Sequence, residues 1–254
     1  MSQPDNNSPQ SPPPDSWHRR TLEHKSALFA ALTTVAISVG GLVEIVPLFT
    51  VSAGPQAIAE VTPYSPLEQA GRDIYSREGC VQCHSQMVRP FRAETLRYGE
   101  WSRAGEYSFD RPFLLGSRRI GPDLHRLGGK YPDVWHYEHM KDPRSTSPGS
   151  IMPAYPWLLE DKIDAADVQA SMTALSVFGH YTQAEIDAAP EAIAKQGEEI
   201  VGRLRQSKVE DIEADHEIVA LIAYLQRLGT DGKKALKAQV AQTDPTQTEP
   251  GSAQ

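Results

Sequence analysis

Cys80-Val81-Gln82-Cys83-His84 brings together the only two cysteines of the chain and a histidine. This C-x-x-C-H spacing is the pattern that attaches a c-type haem. Two thiols add across the vinyl groups of the macrocycle, and the adjacent histidine is thereby forced under the ring as an iron ligand. Such a site carries electrons. Two other uses of a cysteine pair predict features that this sequence lacks. A thioredoxin-like dithiol belongs beside a βαβ pattern, and structural zinc needs four closed ligands. Two cysteines three positions apart are no disulfide framework either.

A second axial ligand must reach the iron from the opposite face of the ring. Met87, Met140, Met152 and Met172 are candidates, as are His136 and His139. Met87 lies three residues past His84, a reach of at most ~10 Å, too short to pass around the ring edge. Met172 falls on a helical face, where methionine fills core gaps. Met140 lies in a short helix with His136 and His139, which read as surface or loop histidines. Met152 sits in Ser150-Ile151-Met152-Pro153-Ala154-Tyr155-Pro156, where two prolines stiffen a non-helical loop. Met152 is therefore the expected sixth ligand. A His/Met pair raises the iron potential and leaves no open position for oxygen or peroxide, so the expected role is relay rather than bond chemistry.

Gly121-Pro122-Asp123-Leu124-His125 can lay a turn against a flat ring. A ligating histidine almost always donates its second nitrogen to an acceptor, and the Pro122 carbonyl is the candidate for His84, with Leu124 against the ring. Arg89, Arg92, Arg97, Arg103, Arg111, Arg118 and Arg119 crowd the stretch between motif and turn. Pairing with haem propionates, docking to a neighbouring subunit and plain solvation all remain open for them.

The elements that must position these residues can be read from periodicity. Leu67 to Glu78 predicts a helix delivering the motif, since Leu67, Ala70, Ile74 and Tyr75 share a face. From Ser85 to Pro132 little periodicity is present, and loop is expected. Asp133 to Lys141, Ala165 to Phe178 and Thr182 to Arg205 predict helices, the last broken or kinked at Pro190. Asp215 to Leu228 carries the stripe Ile218, Leu221, Ile222 and Leu225, closed by Gly229. No strand alternation and no repeat is found.

From Ala27 to Val51 the chain is almost wholly apolar, enough to cross a ~30 Å hydrocarbon core. A cleaved signal peptide has a shorter apolar core, roughly 7–15 residues. Arg19, Arg20 and Lys25 precede the span and the next basic residue is Arg72, which predicts a cytoplasmic N-terminus and an outward-facing remainder. Glu44 lies near the outer boundary, where boundary placement and contact with a partner or ion are equally open. Gly40-Gly41 would admit a neighbouring helix. The expected organisation is a disordered tail (1–16), an anchor (17–51), a linker (52–66), a folded domain (67–230) and a second disordered tail (231–254). A net charge of −8 with no basic stripe argues against a nucleic-acid partner. It suits a basic electron donor, but a plain solubilising surface explains it more simply.

Several strings are far more specific than the haem motif. Ser38-Val39-Gly40-Gly41-Leu42-Val43-Glu44-Ile45-Val46-Pro47-Leu48-Phe49, Gly71-Arg72-Asp73-Ile74-Tyr75, Cys80 through Glu94, Ile120-Gly121-Pro122-Asp123-Leu124 and Met152-Pro153-Ala154-Tyr155-Pro156 resemble the mono-haem subunit II of cbb3-type cytochrome c oxidases. The likeness runs from about Trp17 to Thr230. It implies a mainly α protein: a single N-terminal transmembrane helix followed by a class I cytochrome c domain with long loop insertions. It also implies one covalently attached haem c, with Cys80, Cys83, His84 and Met152 on the family's haem-binding positions. The implied partners are a haem b/copper catalytic subunit that reduces oxygen to water, a di-haem cytochrome c subunit and the lipid bilayer. The implied location is the bacterial inner membrane, with the haem domain in the periplasm and no catalysis by this chain itself.

Overall fold

The computed structural model describes residues 16–50 and 58–243. Most of the expected N-terminal tail, part of the linker and residues 244–254 lie outside them. The chain divides into two compact units, Met1–Gly54 and Pro55–Gln254.

In the first unit, helix α1 runs Ser26–Thr50. Its Ser26–Pro47 portion is long and apolar enough to cross a membrane: 22 residues rise about 33 Å at ~1.5 Å each. Leu28, Val35, Ile37, Val39 and Val43 stand exposed along it, an apolar surface that water does not suit. A side chain added at Gly40 or Gly41 would meet nothing within 4 Å, so the notch they form is open.

The second unit begins with α2, Pro66–Arg77. Ser65 and Glu68 form a reciprocal capping box, and Pro66 stands where the first-turn N–H has no partner to lose. The apolar face anticipated from Leu67, Ala70, Ile74 and Tyr75 is buried. After α2 come α3 (Arg92–Tyr98), α4 (Asp133–Lys141), α5 (Pro143–Thr146), α6 (Ala165–Ser176), α7 (Gln183–Asp187), α8 (Ala189–Gln206), α9 (Glu217–Arg227) and α10 (Thr230–Thr243). Among the described residues there is no strand, only an isolated bridge between Lys162 and His216. The protein is mainly α, as expected.

α2 and α9 cross at the centre of this unit. Gly71 meets Ala220 and Tyr224 there so closely that a Cβ would lie 2.0 Å from the Ala220 carbonyl oxygen. Tyr64 and Tyr75 pack their rings on Tyr224 at 5.6 and 5.4 Å between centroids. The apolar stripe of α9 is buried to its last turn. α6 and α8 complete the core with Val168, Met172, Ile200, Val201 and Leu204. Arg72 and Asp110 form a buried ion pair at 3.1 Å, and the Tyr64 hydroxyl donates to the same carboxylate oxygen.

Three expectations change. The stretch from Ser85 to Pro132 is largely irregular but includes α3 and a short turn of helix at Ala104–Tyr107. The break expected at Pro190 within Thr182 to Arg205 is present but falls two residues earlier: two helices meet at Ala188, with Pro190 in the first turn of α8. In place of a disordered tail from residue 231, α10 continues to Thr243. Asp231 in its first turn binds Arg227, and Ala235 is buried.

Candidate haem site

The last turn of α2 leads into Gly79, whose φ of +70° reverses the chain at no steric cost. Cys80–Gln82 then form one tight turn, with the Cys83 and His84 amides donating to the Cys80 carbonyl at 3.1 and 3.0 Å. Cys80 lies half-buried against the core and Cys83 is exposed. Burial, helped by Glu78, pushes the Cys80 thiol up to about 12. A redox dithiol requires the opposite, a thiol lowered toward neutrality. Among the described residues no further metal ligands gather at the pair.

The segment Gly121–Leu124 clamps the motif along its length. Gly121 N–H donates to the Cys83 carbonyl (3.0 Å) and Leu124 N–H to that of Ser85 (2.9 Å). Between them His84 Nδ1 donates to the Pro122 carbonyl at 2.9 Å. Nδ1 being so engaged, the imidazole presents Nε2 as its free ligand atom, the second-sphere arrangement of a metal-binding histidine. Gly121 lies flat against the ring: a Cβ there would fall 2.1 Å from His84 Cε1. This cradle fits an iron-ligating histidine, and burial keeps the imidazole neutral by lowering its pKa. Leu124 is half-buried on the core beside it.

Asp123, which the sequence did not single out, organises this loop from inside. Its carboxylate accepts from Ser85 Oγ (2.6 Å), the Met87 amide (2.8 Å) and the His125 amide (2.9 Å). A polar residue following Gly-Pro was the available signal, since Asp readily bonds neighbouring backbone in turns.

Of the methionines, Met140 and Met172 are buried in the core, whereas Met152 is half-buried at its edge. The Met152 loop is tied on both sides of the motif's approach. Tyr155 N–H donates to the Met140 carbonyl at the end of α4 (2.8 Å), and Trp157 Nε1 donates to Glu78, two residues before Cys80, at 3.1 Å. Burial raises the Tyr155 pKa, with the cysteine pair and Glu78 nearby. His136 departs from the surface or loop placement expected: it is 1% exposed on α4, and burial lowers its pKa to about 4. His139, also on α4, is half-buried with Nδ1 against Thr146 Oγ1 at 2.6 Å.

The arginines separate into classes. Arg119 is largely buried and bonds Ser85 Oγ, the Met87 carbonyl and Glu94. Arg89 also pairs with Glu94, and Arg111 lies over the rings of Phe113 and Phe178. Arg92, Arg97 and Arg118 are exposed. The Glu94 carboxyl is held at about 2, chiefly by the Arg119 guanidinium, with Arg89 assisting against desolvation. Folding lowers this pKa from 4.5, so the tie stabilises fully above pH 4.5 and is lost as pH falls toward 2. Thermal unfolding should show wild type a few degrees above Glu94→Gln at pH 7, with the gap closing between pH 4.5 and 2.

No curated protein matches this sequence. Residues 19–231 match the family described as "Cytochrome C oxidase, mono-heme subunit/FixO". That match spans the apolar helix, the C-x-x-C-H turn with its Gly121–Leu124 clamp and the Met152 loop, and the chain belongs to this family of mono-haem cytochrome c oxidase subunits.

Proposed function

We propose that this chain is the electron-relay subunit of a cbb3-type oxidase and carries one haem c bound covalently through Cys80 and Cys83, with His84 and Met152 as axial ligands. The observation that carries the reading is the His84 clamp. Its Nδ1 is committed to the Pro122 carbonyl and its ring lies on Gly121, an arrangement that orients Nε2 and leaves little else for it to do. When bound, a c-type haem supplies one reversible one-electron change at iron. The chain's own residues fix its position: Cys80 and Cys83 anchor the ring, His84 is held neutral and oriented, and Leu124 covers it. The Met152 loop, stiffened by Pro153 and Pro156 and tied to α4, holds a weak thioether donor that a mobile loop would lose. With both axial positions filled, substrate has no access to iron. The chain therefore passes electrons to a haem b/copper catalytic subunit, in company with a di-haem cytochrome c subunit. α1 anchors it in the bacterial inner membrane, and Arg19, Arg20 and Lys25 keep its N-terminus in the cytoplasm.

Expression of the full chain in cells competent in cytochrome maturation provides the test. Pigment should remain on the polypeptide in a denaturing gel and be lost in the Cys80→Ala/Cys83→Ala variant. In Met152→Ala the methionine–iron band at the red edge of the spectrum should vanish and the reduction potential should fall. Rapid carbon monoxide binding to reduced wild type would overturn the relay in favour of an open-iron sensor or enzyme. Purification in mild detergent should recover b-type haem and copper with the chain.

A further inference from the structure

One surface beside the axial-histidine loop has a charge opposite to that of the chain as a whole. Glu94 is drawn inward by Arg119 and Arg89, so α3 turns its other side, with Arg92, Leu96 and Arg97, to solvent. A groove of about 370 Å³ separates that helix from the 119–122 segment, with Arg97 and Tyr98 on one wall and Ile120 and Pro122 on the other. Ile120 on its wall is 59% exposed, and Phe91 and Leu96, at the start of α3 and within it, are 59% and 76% exposed. Arg92, Arg97 and Arg118 take part in none of the ion pairs among the described residues. The chain carries a net −8, yet α3 and the segment leading to Ile120 hold three exposed arginines outside those ion pairs, Arg97 lying over the Tyr98 ring, and three exposed apolar side chains. Arginine and aromatic groups around an apolar centre are the composition of protein interfaces, and solvation alone gives no reason to expose Phe91, Leu96 and Ile120 together.

We propose that the face formed by α3 and Ile120 docks an acidic surface of a neighbouring redox subunit. This rests on the relay function proposed above and adds to it the place where the partner sits. Charge selects the occupant. An acidic partner is attracted by Arg92, Arg97 and Arg118 and repelled by the negative remainder of the chain, which fixes its orientation as well as its position. A concave groove fits a protruding loop of a protein better than the plane of a bilayer. The site also has a use: Pro122, on the groove wall, holds His84, so a partner seated here lies beside the axial histidine rather than on a remote flank.

The test uses the full chain in native membranes, with a photo-crosslinking amino acid at Leu96 or at Ile120 and, as control, at exposed Glu191 on α8. The first two positions should yield an adduct with a haem-bearing oxidase subunit, mapped by mass spectrometry to an Asp/Glu-rich peptide, and Glu191 should not. Reversing Arg92, Arg97 and Arg118 to glutamate should lower the adduct roughly tenfold or more while the pigment stays on the polypeptide in a denaturing gel. Adducts with lipid only, no adduct from an intact complex, or an adduct indifferent to charge reversal would each overturn the docking proposal. Pigment and co-purifying copper would persist in those cases, whereas their absence would count against the relay function itself.

Discussion

Gly121→Ala is expected to abolish normal His84 ligation almost completely while leaving the domain folded and the pigment joined to Cys80 and Cys83. The added Cβ would fall 2.1 Å from Cε1, 2.6 Å from Nδ1 and 2.7 Å from Nε2 of His84, all far inside contact distance. The three nearest obstructing atoms all belong to the far end of one side chain rather than to backbone. The imidazole is therefore expected to swing out, breaking its bond to the Pro122 carbonyl and misdirecting Nε2. The structural cost should stay near the lower end of the ~1–3 kcal/mol typical of overpacking, since the obstruction is one side chain that is only partly buried. The chemical cost should be nearly total, because a ligand is useful only in the orientation its second-sphere partner enforces. Absorbance of the purified chain, pigment on a denaturing gel and helical content by circular dichroism separate the two effects. A wild-type haem spectrum in Gly121→Ala would refute the clamp. Loss of helix together with the wild-type spectrum would show that the loop is structural.

The second large effect is expected at Gly71, with the opposite signature. There a Cβ would lie 2.0 Å from the Ala220 carbonyl oxygen, 2.6 Å from its carbon and 2.8 Å from Tyr224 Cβ. These are backbone and near-backbone atoms of α9, and none can rotate aside. α2 and α9 must move apart, opening the packing of Leu67, Ile74, Tyr75 and Tyr224 in the middle of the core. Gly71→Ala should therefore cost more than about 4 kcal/mol, the exceptional end of single-substitution effects. Because α2 delivers Cys80, the native haem environment should be lost with the fold, while the thioether-bound pigment stays on the chain. Gly202→Ala in α8 is the control: a Cβ there meets nothing within 4 Å, and replacing a helical glycine should stabilise by about 0.5–1 kcal/mol. Chemical denaturation and steady-state protein level are the measurements. A Gly71→Ala protein as stable as Gly202→Ala would contradict the close crossing.

The two glycines also mark how far a sequence can be read. Gly71 and Gly121 both lie in strings that identify the family, yet nothing local says that one faces a carbonyl and the other an imidazole. α4 could be read in full because its helix-forming composition is local, and α9 because its apolar stripe has helical period. α3 was missed because its buried side is Glu94, secured by Arg119 from 25 positions further along, and such an ion pair leaves no periodic trace. α10 was read as a tail for a related reason: it is rich in Thr, Gln, Lys and Ala, and what binds it to the domain is Asp231 on Arg227 and the buried Ala235. His136 reads as a surface histidine by type, and only its neighbours on and around α4 bury it.

The sequence by itself determined the chemistry on offer, two thiols and a histidine in haem-attaching order with a methionine in a proline-stiffened loop, and the mainly helical elements that carry them. These depend on covalent spacing and on periodicity over a few turns, both local. Only the tertiary structure decided that the Pro122 carbonyl meets His84, that Asp123 and Arg119 are spent on internal bonds, and that Arg92, Arg97 and Arg118 face outward together. Those outcomes depend on which distant segments share a surface, and burial, hydrogen bonding and charge pairing settle that jointly across the whole chain.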